Sequence, residues 1–332
     1  MKARQVTIER QGPPDVMVIS ETDLPKPGPG EAQIEHRAIG LNYMDVYQRS
    51  GHYPMQLPSV LGIEAAGVVT AVGEGVSEVA PGDRVAYGGG PIGAYASTRN
   101  VRADRLVRIP DGISDDVAAA VLMKGMTVEY LLSRTFAVKP GQFVLFYAAS
   151  GGVGQLAGQW GSHIGARMIG VAGGEEKCAA ARAVGYEFVI DRTSEDIAAR
   201  VREITGGAGV PVLYDSVGKA TFDASIDSLG PRGYFVSFGA TTGEAPAVAP
   251  SLLQRKGSLY FTRPTLATYI ASRKDLEHSA NTVFQLVSQK VLKVQINQRY
   301  LLADVAKAHD DLEHARTSGS TVILPNSSSR PI

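Results

Sequence analysis

Hydrophobic positions change their spacing twice along the chain. Up to about residue 120 they come in short runs, AQIEHRAIG at 32–40, AAGVVTAVG at 65–73 and RVAY at 84–87. Turn residues separate them: KPGPGE at 26–31, GEGV at 73–76 and PGDR at 81–84. Short strands with frequent turns predict an irregular barrel or sandwich. The pattern then shifts. SDDVAAAVLMKGMTVEYLLSRT (114–135) reads as one helix, with Asp115 and Asp116 in a first turn where carboxylates complement the helix dipole.

From Lys139 onward strand and helix patterns alternate. FVLFYAA (143–149) is apolar throughout, as a strand buried on both faces must be. It leads into the helix VGQLAGQWGSHIG (153–165). Strands ARMIGVA (166–172), FVI (188–190), VPVLYDS (210–216) and GYFVSFG (233–239) follow, with helices at 175–185, 194–206 and 220–230 between them. SLYFT (258–262) supplies a sixth strand. This alternation predicts an α/β fold with a doubly wound parallel sheet. After Pro264 it stops: a helix at about 272–290, a strand near 294–296, a helix at 304–315 and a last strand, STVILP (320–325), are expected to return to the first domain. The tail NSSSRPI (326–332) has a disordered composition.

Composition narrows the functional classes. Lys plus Arg and Asp plus Glu both number 33, so the chain carries no broad field for nucleic acid or an anionic membrane. The single cysteine, Cys178, allows no internal disulfide or Cys-rich zinc site and fits a reducing, cytoplasmic setting. It sits among alanines as a packing residue. The N-terminus lacks a signal peptide's apolar stretch, and no segment is long enough to span a membrane.

The sharpest chemical signal is AASGGVG at 148–154, between a strand and a helix. Gly151 and Gly152 keep the turn tight and let backbone N–H groups, Val153 included, approach a pyrophosphate; Gly154 lets helix and strand pack closely. A site for NAD usually carries an acid at the end of the second strand to bind the ribose 2′-OH. Here that strand ends in Val171-Ala172-Gly173-Gly174, Lys177 follows within a turn and Arg192 comes after the third strand. Two cations and no carboxylate suit a 2′-phosphate, hence NADPH. Glu175 and Glu176 argue the other way, but in a helix's first turn they can face solvent.

These motifs, together with AIGLNYMDVYQRSGHYP (38–54), PSVLGIEAAGVV (58–69), GDRVAY (82–87), GAYA (93–96), VLYDSVG (212–218) and GSLYFTRPTLATYI (257–270), resemble the medium-chain dehydrogenase/reductase superfamily. Within it they resemble the zeta-crystallin-like quinone oxidoreductases, over nearly the whole chain. The resemblance implies a GroES-like irregular β-barrel domain at 1–126, a Rossmann NADPH-binding domain at 127–262, a return to the first domain at 263–325 and a flexible tail. It also implies a homodimer, for which SLYFT offers an edge strand. Zinc-dependent members place ligands where this chain has Asn42 and Ile63, and the six histidines show no ligand spacing, His309 and His314 being expected to face solvent. No metal is therefore expected. Without a Lewis acid the substrate must accept hydride unaided, as quinones and conjugated enones do.

The resemblance places Asn42, Asp45, Tyr47 and Tyr53 at the catalytic end. Asn42 is expected to hold the nicotinamide ribose or the substrate oxygen, Tyr53 to bond the cofactor or a carbonyl or donate a proton, and Tyr47 to form an aromatic wall; both tyrosines also suit plain packing. Met123 and Thr127 are expected against the cofactor; Lys124 beside them has the reach to join them, although a Lys on a helix is usually solvated. Ser216, Phe238 and Gly239 end the fourth and fifth strands, where a doubly wound sheet binds its ligand. Arg263, after the sixth strand, is expected at the catalytic end on the nicotinamide side, with a structural ion pair as the alternative, and Arg316 is a further candidate for the 2′-phosphate. Reduction of quinones by NADPH leads, enone or 2-alkenal reduction follows, and a crystallin-like or RNA-binding role is a third possibility that the neutral charge argues against.

Overall fold

A computed structural model describes residues 1–325; the tail expected at 326–332 lies outside the described residues. The chain divides into two compact units. Among the described residues, one takes Met1–Met126, Ile270–Gln289 and 294–325; the other takes Thr127–Tyr269 and Lys290–Lys293.

The first unit is built on two sheets, with register shifts between Glu31–Leu41 and Glu64–Val72. Its largest sheet runs in the order Ile296–Leu301, Ser320–Leu324, Glu31–Leu41, Glu64–Val72, Arg84–Gly88 and Val107–Arg108, with Thr98–Arg102 also on Glu31–Leu41. A smaller sheet pairs Val18–Asp23, Lys2–Ile8 and Ser59–Val60. Alternation along Lys2–Ile8 sends Val6 and Ile8 into a core that also holds Ile34, Ile39, Leu61, Val85, Tyr87 and Tyr95. The last strand, Ser320–Leu324, runs antiparallel to Glu31–Leu41, with Val322 opposite Gly40. That pairing fixes Glu31–Leu41, whose end carries the chain into the helix Tyr43–Ser50.

The second unit is the expected doubly wound sheet. Six parallel strands lie in the order Phe188–Asp191, Arg167–Ala172, Phe143–Tyr147, Val210–Asp215, Leu229–Ser237 and Tyr260–Thr262. Numbered within the unit this is 3-2-1-4-5-6, the dinucleotide-binding order, which reverses direction between Phe143–Tyr147 and Val210–Asp215. SLYFT is indeed the sixth strand, at the sheet's end.

The helix expected over 114–135 differs from expectation. It is α-helical over Asp115–Glu129 and becomes a π-turn over Tyr130–Thr135. The Leu131 carbonyl accepts the Phe136 N–H, five residues on, at 3.4 Å, and also the Tyr214 hydroxyl at 2.8 Å. Stacking of Tyr130 on Tyr269, with centroids 4.4 Å apart, holds the widened turn. No helix of the described residues is long and apolar enough to cross a membrane.

Candidate functional site

In the second unit the glycine-rich turn forms as its sequence demands. Phe143–Tyr147 ends, Ala148 takes a positive φ of 52°, and the helix Gly152–Ile164 begins with Gly151 as its N-cap. Gly151, Gly152 and Val153 are half-buried, so the first N–H groups of a 13-residue helix open outward from the strand's carboxyl end. Gly154 is buried, and a Cβ there would lie 2.2 Å from the Ala148 carbonyl oxygen and 2.7 Å from Ala149 Cα. Only glycine permits this approach of helix to strand.

At the end of the neighbouring strand, a Cβ on Gly173 would come within 3.0–3.2 Å of the Arg192 guanidinium. Arg192 is thus laid over the glycine where an NAD site would carry its acid. Its N–H bonds the Ala172 carbonyl at 3.0 Å. The nearby Asp191 accepts the Gly174 N–H at 2.9 Å and the Thr193 hydroxyl at 2.7 Å, bonds that pull its carboxyl below the ordinary range. Glu175 and Glu176 are exposed, as expected, and Glu175 pairs with Arg182. Lys177 is half-buried in the helix Glu175–Arg182, and Cys178 beside it is buried.

Ser216 and Gly239 meet at adjacent strand ends: a Cβ on Gly239 would lie 2.5 Å from the Ser216 carbonyl oxygen. Phe238 packs on Phe146, and Arg263 donates to the Gly239 carbonyl at 2.6 Å and the Ser237 hydroxyl at 3.1 Å. The cradle, the Gly173–Arg192 rim, Ser216, Phe238, Gly239 and Arg263 therefore all stand at the carboxyl ends of one sheet. Thr127, half-buried, opens this unit.

In the first unit, Asn42, Asp45 and Tyr47 are buried around the helix Tyr43–Ser50. Asp45 Oδ2 accepts the Asn42 N–H at 2.9 Å and the Tyr95 hydroxyl at 3.0 Å. Burial pushes the Asp45 carboxyl up to about 7, against those two bonds. The Asn42 amide Nδ2 donates to Glu64 Oε2 at 2.8 Å. Glu64 also accepts the Met123 N–H at 2.6 Å and faces Lys124 Nζ at 3.5 Å. Tyr43, Tyr47 and Tyr53 form a chain of edge-on rings, 5.1 and 5.2 Å apart, with His52 tilted beside the last two. Tyr53 remains half-buried.

Two side chains stand where the sequence reading did not put them. Lys124 is buried rather than solvated, because Glu64 meets it inside the fold. His309 is also buried: it shares the apolar face of its helix with Val305 and Ala308, and its Nε2 lies 2.9 Å from the Tyr95 hydroxyl. The 305-308-309-312 spacing was the available signal. Arg316 lies in the first unit with its guanidinium between Asp310 and Asp311, its Nε 2.7 Å from Asp311. Glu64 and Tyr95 were missed, although both stand inside motifs that carry the resemblance.

Two family models match the chain: "Alcohol dehydrogenase GroES-like domain" over residues 28–111 and "Zinc-binding dehydrogenase" over 152–285. Among curated relatives, a quinone oxidoreductase of Pseudomonas aeruginosa is 45% identical over 324 residues, covering 97% of this chain and 100% of the relative. A 2-haloacrylate reductase of a Burkholderia species is 40% identical over 325 residues, covering 96% and 98%. Among solved structures, Escherichia coli quinone oxidoreductase complexed with NADPH superposes with a TM-score of 0.95 at 43% identity, covering 97% of this chain and 100% of that one.

Proposed function

The chain belongs to the quinone oxidoreductase family of the medium-chain dehydrogenase/reductase superfamily, and from that premise we propose that it is a zinc-independent, NADPH-dependent reductase of quinones. The observation that carries the cofactor choice is Arg192 laid over Gly173, while the neighbouring Asp191 carboxyl is engaged by the Gly174 N–H and the Thr193 hydroxyl. A planar guanidinium there suits a 2′-phosphate, and Lys177 adds a second cation within a turn.

NADPH, when bound, supplies the hydride. The residues around it have separable tasks. The N–H groups of Gly151, Gly152 and Val153 take the pyrophosphate, and Gly154 sets the helix at the right distance. Ser216, Phe238 and Gly239 line the strand ends, with Met123 and Thr127 as further cofactor contacts. Asn42 and Tyr53 hold the nicotinamide end and the substrate oxygen, and Tyr47 supports the Tyr53 ring. Asp45, fully buried, clamps Asn42 rather than touching substrate. Arg263 braces the Gly239 turn. Arg316, already matched by two carboxylates, is a weaker candidate for the phosphate than Arg192.

Zinc does not fit these residues. Asn42 commits its amide nitrogen to Glu64, Ile63 has no donor atom, and no three His, Cys, Asp or Glu side chains converge among the described residues. Acceptors that delocalise charge through a conjugated system need no such ion. The 2-haloacrylate reductase relative favours a second reading, reduction of an activated double bond with the same cradle. We also propose a cytoplasmic homodimer. NADPH oxidation by chelator-dialysed protein, with 1,4-benzoquinone and a 2-alkenal compared, tests the reading. Quinone turnover surviving dialysis is expected; activity restored only by zinc overturns it.

A further inference from the structure

We propose that Glu64 is a positioning residue that fixes the Asn42 side chain as a hydrogen-bond acceptor for a cofactor hydroxyl. The proposal rests on the cofactor reading above and goes beyond it by deciding what Asn42 binds.

Glu64 is fully buried at the start of its strand, where an unpartnered charge would be costly. It is fully engaged instead. Oε1 accepts the backbone N–H of Met123, and Oε2 accepts Asn42 Nδ2 and faces the Lys124 ammonium. The neighbouring strand leaves room for it: a Cβ on Gly40 would lie 2.3 Å from Glu64 Oε2 and 2.3 Å from the Ala119 carbonyl. Carboxylate, amide, ammonium and helix backbone are thus packed around one glycine.

The consequence is chemical. Glu64 Oε2 accepts from the amide nitrogen, so Asn42 turns its NH₂ toward Glu64. Asn42 Oδ1 then faces the other way, as an acceptor. The Asn42 backbone cannot swing to compensate, since Asp45 holds its N–H. An acceptor pairs with a hydroxyl, not with a quinone oxygen, which offers only lone pairs. Of the two roles open to Asn42, the geometry points to the nicotinamide ribose. The substrate oxygen falls to a donor, and Tyr53 is the candidate.

The test is Glu64→Gln. Its amide can donate to Asn42 Oδ1 and let the Asn42 side chain turn over. Fluorescence titration should show NADPH affinity falling about five- to tenfold, one hydrogen bond's worth. Affinity for 2′-phosphoadenosine 5′-diphosphate, which ends before the nicotinamide ribose, should be unchanged. Asn42→Ala should lose the same factor, and the double variant should lose no more than either single one. If Glu64→Gln does not fold, Asn42→Ala alone carries the test. NADPH affinity at the wild-type level in either folded variant, or additive losses, overturns the role of Glu64. Wild-type protein that binds neither NADPH nor the fragment overturns the cofactor reading itself.

Discussion

His309 Nε2 lies 2.9 Å from the hydroxyl of Tyr95, a residue 214 positions earlier in the chain. The same hydroxyl donates to Asp45 at 3.0 Å. With one proton to give, Tyr95 gives it to Asp45, so His309 must itself donate from Nε2. Its Nδ1 is then a bare acceptor, buried without a partner. A second proton there would have no outlet, and the Arg49 guanidinium stands nearby. Burial first and Arg49 second hold His309 down at about 3.

This arrangement predicts acid lability of the first unit. A histidine with a depressed pKa stabilises the fold fully above its unfolded value of about 6.5 and loses that contribution as pH falls toward the folded value. His36, buried and held at about 4, behaves likewise. Asp45, raised to about 7, has the opposite sign: its ionised form is penalised, so lowering the pH relieves the fold. Between about pH 6.5 and 4, two protons opposed by one leave a net slope of about 1.4 kcal/mol per pH unit. His309→Gln, which can still donate to Tyr95, should make the stability nearly flat there. Urea midpoints at pH 7.5, 5.5 and 4.5 measure it, and parallel wild-type and variant trends would remove His309 from the explanation.

Arg192 makes the second prediction. Removing its guanidinium from over Gly173 takes away one charge-assisted contact to a 2′-phosphate. Arg192→Ala should weaken NADPH by about 1.5–3 kcal/mol and leave NADH almost unaffected. Titration with both cofactors decides it; an equal loss for the two would mean that Arg192 shapes the loop rather than reading the phosphate.

How far this site was legible depends on the range of the forces that make it. The cradle is local: Gly151, Gly152 and Gly154 act within one strand–helix turn, so their spacing is sufficient. The sheet order follows from strand–helix alternation, because right-handed crossovers leave few alternatives. Lys124 and His309 were misplaced for a different reason. Each is buried by a partner far away in sequence, Glu64 and Tyr95, and residue type alone favours exposure. The π-turn at Tyr130–Thr135 likewise depends on Tyr214 and Tyr269. Long-range polar pairs were invisible until the fold brought them together.

Gly154 carries a third prediction. Gly154→Ala would press a Cβ onto the Ala148 carbonyl and Ala149 Cα, both backbone atoms that cannot turn away. The helix must shift outward, and the N–H groups at its start move with it. NADPH affinity should fall at least tenfold, with a stability loss of about 1–3 kcal/mol for the overpacking. A variant with wild-type affinity for NADPH would show that the helix start does not seat the pyrophosphate.

The last prediction concerns assembly. Tyr260–Thr262 ends the six-stranded sheet, paired among the described residues with Leu229–Ser237 along one side only. Tyr260 is 52% exposed and stacks on Tyr234 with ring centroids 4.5 Å apart, so a flat aromatic surface lies beside an open row of backbone groups. Natural proteins seldom leave such an edge bare, since it invites strand pairing. A second copy brought up across a two-fold axis would pair the two edges and bury both tyrosines in one self-complementary contact. Light scattering at micromolar concentration should therefore report twice the 35.1 kDa chain mass. Tyr260→Asp would place two like charges near the axis and should shift the mass toward a single chain while leaving the Gly-rich turn untouched. Wild-type protein at the single-chain mass would reject the dimer, and a Tyr260→Asp protein still at twice that mass would place the contact elsewhere.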